Sequence, residues 1–209
     1  MKTFLKEWGV FIVIVALAIL SRIFIWQPVL VDGHSMDPTL ADRERLIVVR
    51  TAPIQRFDIV IANEKDTNGE TKQVVKRVIG LPGDTLKFDH DQLTINGKIY
   101  NEPYLANFQA QLKDGTLAKT YAAYPPTSEL SKSQIDYFVQ LAQHAQAFTT
   151  DTKGNPVFEV KVPKGKYYLL GDNRVLSRDS RAVGSFSRSD IIGDAKLRIW
   201  PLNKISFLN

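Results

Sequence analysis

Ser35 and Lys76 are the two residues whose types and settings best suit covalent acyl-transfer chemistry. A hydroxyl is a weak nucleophile until a neighbouring base takes its proton. A lysine serves as that base when burial or a like charge lowers its pKa enough to leave it neutral. Ser35 lies in Gly33-His34-Ser35-Met36-Asp37-Pro38-Thr39-Leu40. Gly33 permits unusual backbone geometry and close approach of a substrate, and Pro38 fixes the chain just beyond the serine. A surface serine in an ordinary turn is the plain alternative. Lys76 sits among Val74, Val75, Val78 and Ile79, where a charged lysine is costly to bury. Strand alternation puts Val74, Lys76 and Val78 on one face and Arg77 on the other. The plain alternative is an edge-strand lysine reaching solvent.

A third cluster is Gly171-Asp172-Asn173-Arg174-Val175-Leu176-Ser177-Arg178-Asp179-Ser180-Arg181. It is either a solvated turn or a support that orients the base through a hydroxyl and an Asp–Arg pair. No histidine or aspartate is placed to suggest a Ser-His-Asp triad. His34 adjoins Ser35, but neighbours on an extended chain point apart.

These clusters must be positioned by a chain of 209 residues, enough for one domain with a sizeable core and an insertion. The net charge of +5 is modest and its basic residues are scattered, which argues against nucleic-acid binding and fits a weak attraction to an anionic membrane surface. There is no cysteine, which excludes disulfides, thiolate metal sites and a cysteine nucleophile. His34, His90 and His144 lack metal-ligand spacing, so no metal site is expected.

Trp8 to Trp26 is nearly all apolar, with Ser21 and Arg22 as exceptions. That length suits a transmembrane helix flanked by interfacial tryptophans. Lys2 and Lys6 precede it, which favours a cytoplasmic start and an exported remainder. Ala16-Leu17-Ala18 has the form of a signal-peptide cleavage site, but strongly apolar residues continue beyond it. A buried core helix fits poorly, because Val10 to Leu20 has no polar face.

After Pro28 the pattern turns to β-structure. Strands are expected at 29–31, 46–49, 57–62, 73–79, 157–162, 166–170 and 195–200. Asn96-Gly97 between Leu93–Ile95 and Lys98–Tyr100 marks a two-residue hairpin. No regular strand–helix alternation appears, which argues against a parallel sheet. The stretch from about 101 to 155 reads as an insertion. In it Ser131 and Gln134 can form a capping box, and Ile135, Phe138, Leu141, Ala142 and Ala145 follow at helical spacing. Its expected role is packing.

Taken together and in order, the motifs resemble those of bacterial type I signal peptidases, the leader peptidases, and the short single-anchor layout resembles their Gram-positive branch. The matching runs are Ser35 to Leu40, Arg56-Phe57-Asp58-Ile59-Val60, Lys76 to Asp84, and Gly171 to Arg174 with Ser177, Asp179, Ser180 and Arg181. The resemblance implies a mainly β fold: an N-terminal transmembrane helix, then a largely antiparallel β catalytic domain of signal-peptidase/repressor-protease type with an α-containing insertion. The implied divisions are a cytoplasmic terminus at 1–7, an anchor at 8–27 and an extracytoplasmic catalytic domain at 28–209.

The resemblance further implies that Ser35 is the nucleophile and Lys76 its general base. Ser177 would hydrogen-bond the Lys76 amine, Asp179 would pair with Arg181, and Asp172 with Arg77. The Ser35 backbone N–H would serve the oxyanion hole. Gly33, Val31, Met36, Val74 and Val75 are the expected oxyanion and substrate-binding residues. Two departures stand out: Gly33 replaces a serine that in some relatives assists the oxyanion hole, and Phe57 stands where the family usually has glycine.

The implied substrate is a secretory preprotein, cut after an Ala-x-Ala-type site through an acyl-enzyme, and the resemblance likewise implies no metal or organic cofactor. It would lie as an added strand between the segments around 29–33 and 73–75. The implied setting is the cell membrane, single-pass, as a monomer touching lipid. Trp200 would rest on the membrane surface or sit in the core. A soluble self-cleaving Ser/Lys repressor is disfavoured by the anchor, and an inactive tethered homologue by the intact Ser35, Lys76 and Ser177.

Overall fold

The computed structural model describes residues 2–65, 69–127 and 130–208, with side chains from Trp8 onward. It opens with helix α1 (Lys2–Phe24). Its apolar side chains from Trp8 to Phe24 are largely exposed, so it is not a core helix. Among the described residues no helix is long and apolar enough to cross a membrane. The apolar run also divides earlier than its composition suggests. Trp26 and Gln27, expected in the anchor, already belong to strand β1 (Trp26–Leu30). Pro28 explains this: it disfavours helical geometry at the preceding residue and is tolerated on an edge strand.

Strands β2 (Arg45–Val49), β3 (Ile59–Lys65), β4 (Thr71–Gly80), β5 (Thr85–Asp89), β6 (Gln92–Ile95) and β7 (Lys98–Tyr100) follow. Then come helices α2 (Ala106–Lys113), α3 (Leu117–Ala122) and α4 (Lys132–His144), and strands β8 (Val157–Lys161) and β9 (Lys166–Leu170). The short helix α5 (Ser180–Val183), β10 (Phe186–Ser187), β11 (Ile191–Trp200) and β12 (Ser206–Phe207) complete the chain.

Among the described residues these strands form two antiparallel sheets. The larger runs β1-β2-β11-β3-β4-β9-β10 with β12 added to β11, and the smaller runs β7-β6-β5-β8. The expected largely antiparallel β architecture is therefore present. The larger sheet buries Val31, Met36, Leu40, Leu46, Val48, Ile59 and Ile61 in one apolar cluster. In the smaller sheet Asn96 and Gly97 both have positive φ, the geometry of the tight hairpin their types demand.

The insertion leaves the smaller sheet after β7 and returns at β8. It holds three α-helices where the periodicity shows one. The missing pair, α2 and α3, are only 8 and 6 residues long, too short to display a period. The legible helix, α4, has both halves of the Ser131/Gln134 capping box. The three helices share a core of Leu105, Phe108, Leu117, Tyr121, Ala142 and Phe148.

Phe57 has φ +72°, a left-handed conformation in which glycine is the unstrained residue. That accounts for the expectation of glycine there. Its ring packs 5.9 Å from Tyr100 and 6.3 Å from Tyr104.

Arg174 fastens the insertion to the rest. It is buried, with Nε donating to the Gly171 carbonyl and Nη1 to Thr149 Oγ1, both at 3.0 Å, and Nη2 donating to Glu102. Replacing one partner of a buried pair leaves the other charge uncompensated. Arg174→Met should therefore lower the unfolding free energy by about 3–5 kcal/mol, read from the urea midpoint in detergent. A loss below about 1 kcal/mol, the range of a surface pair, would contradict this role.

Candidate active site

Lys76 lies on β4, opposite Val60 of β3. Its neighbours Val74, Val75 and Val78 are strand formers that carry it into the apolar interior, and only 3% of it remains exposed. The solvent-reaching alternative is thus excluded. Ser35 lies in the irregular segment between β1 and β2. The Lys76 Nζ stands 2.9 Å from the Ser35 Oγ. Two side chains far apart in sequence are in direct hydrogen-bond contact.

Burial pushes the Lys76 amine down to about 8. The negative charges of Asp179 and Glu64 oppose this, while Arg181 and Lys72 reinforce it. Asp179 is itself buried, which by itself would raise its carboxyl. The Arg181 guanidinium overrides that and holds it below the usual range. Arg181 grips Asp179 through Nε and Nη2, both at 2.8 Å, and donates onward to the carbonyls of Thr150, Arg174 and Ser177. Asp179 also accepts the Gly171 N–H at 3.1 Å and caps α5. This cluster is therefore a packed support and not a solvated turn.

The Asp172–Arg77 pair forms as expected, with bonds of 2.9 and 2.6 Å. Thr39 donates to Asp172 at 2.6 Å, and the Arg77 guanidinium stacks 3.9 Å from the Tyr104 ring centroid. Since Thr39 follows closely on Ser35, the pair anchors the serine segment against β4.

Two expected interactions are not made. The Ser177 hydroxyl does not bond the Lys76 amine; it is buried without a partner. It lies over Gly171, where an added Cβ would collide with it and with the Ser35 carbonyl oxygen at 2.5 Å. Ser177 thus reaches the site but comes from a loop that directs its oxygen to the Gly171 side. Gly33 does not supply a free oxyanion donor either, because its N–H bonds Asp42 Oδ1 at 2.9 Å. Gly33 is required for its backbone, with φ +84°. The Ser35 N–H is engaged in none of the loop hydrogen bonds among the described residues.

A cleft of about 810 Å³ opens at the pair. Val31, Gly33, Met36, Val74 and Val75 all line it, as expected, although Val31 and Met36 are almost wholly buried. Val29, in the segment expected beside the substrate, lines it too; Pro28, Ile61, Leu130, Gln134, Phe138, Leu176 and Arg178 also line it and were not foreseen. Phe138 and Gln134 come from α4, so the insertion contributes to the cleft wall. Asn173, noticed only as part of its motif, donates its N–H to the Ser35 carbonyl and its Nδ2 to the His34 carbonyl, both at 3.1 Å. Among the described residues no group of three or more His, Cys, Asp or Glu side chains could hold a metal ion.

Comparison with known proteins places the chain among relatives. The family described as signal peptidase, peptidase S26, matches residues 5–200. A signal peptidase I of Streptococcus pneumoniae serotype 4 is 52% identical over 204 residues, covering 98% of this chain and 97% of the relative. Signal peptidase I S of Bacillus subtilis is 39% identical, covering 100% of this chain and 96% of the relative. A crystal structure of a signal peptidase I from Enterococcus faecalis V583 superposes with a TM-score of 0.44 at 27% identity, covering 68% of this chain and 97% of that one. On the family match and these identities, the chain belongs to the signal peptidase family, peptidase S26.

Proposed function

We propose that this protein is a membrane-bound serine endopeptidase that removes signal peptides from secretory preproteins, with Ser35 as nucleophile and Lys76 as its base. The observation that carries the reading is the 2.9 Å contact between an amine pushed down to about 8 and a serine hydroxyl at the floor of an open cleft. Neutral Lys76 takes the Ser35 proton as Oγ attacks the scissile carbonyl. The charge that develops on the carbonyl oxygen is met by the Ser35 N–H. The tetrahedral adduct collapses, Lys76 returns the proton to the leaving amine, and the mature protein departs. Lys76 then takes a proton from water, whose oxygen attacks the acyl-enzyme; the ester bond to Ser35 breaks, Lys76 returns the proton to the Ser35 Oγ, and the signal peptide is released. No metal or organic cofactor takes part.

Substrate enters as an extended strand. Among the described residues β1 pairs only with β2, and the part of β4 before Arg77 pairs only with β3. The cleft lies between these two open edges, which suits main-chain pairing with side chains alternating into pockets. Val31, Met36, Val74 and Val75 shape those pockets for small residues, giving cleavage after Ala-x-Ala.

Attachment to the membrane is supported by the exposed apolar face of α1 and by a patch of Leu30, Trp200, Leu202, Ile205 and Phe207. Trp200 is 48% exposed, which sets aside a core role. In this reading residues 1–7 are cytoplasmic, α1 from Trp8 to Phe24 forms the anchor, and the domain that begins with β1 works outside the cell as a monomer.

Ser35→Ala and Lys76→Ala should each reduce cleavage of a secretory preprotein by at least about a thousandfold while preserving the far-UV spectrum and melting temperature. Substantial activity in either purified variant would refute the pair. The base must be neutral, so kcat/KM should fall about tenfold per pH unit below about 8 and level off above it. A profile flat through that region would exclude Lys76 as the titrating base.

A further inference from the structure

Ser35 lies in no strand or helix, so side-chain bonds must fix its position. The bonds that hold its segment lead, on both flanks, to the insertion.

On the first flank, Asn173 is wholly buried and spans the His34 and Ser35 carbonyls. Its Nδ2 must donate to His34, so its Oδ1 must accept from something else. The Tyr121 hydroxyl donates to it at 2.6 Å. That one hydroxyl therefore fixes which way the amide faces. Tyr121 lies on α3, is itself buried, and packs edge-on against Phe108 in the insertion core.

On the second flank, the Tyr124 ring stacks on the His34 ring at 4.0 Å and 10°. Its hydroxyl donates to Asp37 Oδ2 at 2.8 Å, the oxygen that also bonds His34 Nδ1 at 2.9 Å. His34 immediately precedes Ser35, and Asp37 follows two residues after it. Burial keeps both phenols above their ordinary range, so they remain donors at every working pH.

We propose that Tyr121 and Tyr124 of the insertion are positioning residues that hold Ser35 in register with Lys76. Their hydroxyls bond Asn173 and Asp37 and not Ser35 or Lys76, so each acts through a residue beside the dyad. The insertion is thereby part of the catalytic apparatus and more than a packed appendage. The proposal rests on the reading of Ser35 and Lys76 as nucleophile and base.

The test compares the parent, Ser35→Ala, Tyr121→Phe, Tyr124→Phe and the double phenylalanine variant, all full-length in detergent, on one Ala-x-Ala peptide. Each phenylalanine keeps the ring and removes one hydroxyl. The expected result is a fall in kcat of roughly tenfold for each single variant and more for the double, with KM within about twofold, measured well below each melting temperature. A misplaced nucleophile affects the chemical step more than binding. If kcat stays within twofold of the parent while only the melting temperature drops, the tyrosines are structural and the proposal fails. A rise in KM at constant kcat also overturns it, because the insertion would then act on binding. An inactive parent, or an active Ser35→Ala, would instead overturn the underlying reading of the dyad.

Discussion

The structure depends on one unfavourable burial: a lysine amine placed in an apolar interior. Desolvation penalises the ammonium and brings the amine down toward the range in which it can give up its proton, which is what the proposed role as base to a serine hydroxyl requires. The same burial would be useless if the surrounding charges restored the proton. Asp179 and Glu64 both lie close enough to do so. Arg181 counteracts Asp179 by binding it through two nitrogens. The Asp179–Arg181 pair is therefore an electrostatic shield for Lys76 as well as a brace for the loop.

The second requirement is that an irregular segment meet a regular strand. Lys76 is fixed by pairing on β4, whereas Ser35 lies in a loop. The surrounding polar network compensates for that difference. Arg77 and Asp172 draw Thr39 toward β4, Asn173 holds the two carbonyls beside Ser35, and Arg174 joins this loop to the insertion. Almost every member is buried and bonded, which is the condition under which a polar network rigidifies a site.

Much of this was legible in the residues. The β-branched run around Lys76 announced its strand and made burial one of two readings, the other being an edge-strand lysine reaching solvent. Asn96-Gly97 announced a hairpin, and Ser131 with Gln134 announced the start of α4. The Asp172–Arg77 and Asp179–Arg181 pairs followed from the family resemblance. What stayed hidden was long-range. Nothing near Tyr121 or Tyr124 indicates that their hydroxyls reach Asn173 and Asp37, because such contacts depend on how the insertion folds back. Local backbone geometry was equally hidden. Gly33 was correctly marked as special, but its N–H turned out to be committed to Asp42. The Ser177 hydroxyl was expected on Lys76 and lies over Gly171 instead. The apolar run gave no sign that Trp26 would leave the helix, since tryptophan suits a membrane interface and a strand alike.

The most direct test of the central claim is an NMR titration of the Lys76 side-chain ε-carbon in isotopically enriched protein, assigned by comparison with a Lys76 variant. If burial makes Lys76 the base, its inflection falls near 8 and not at the ordinary 10.5. An inflection at or above 10.5 would mean that the amine remains charged beside Ser35, and would contradict the account.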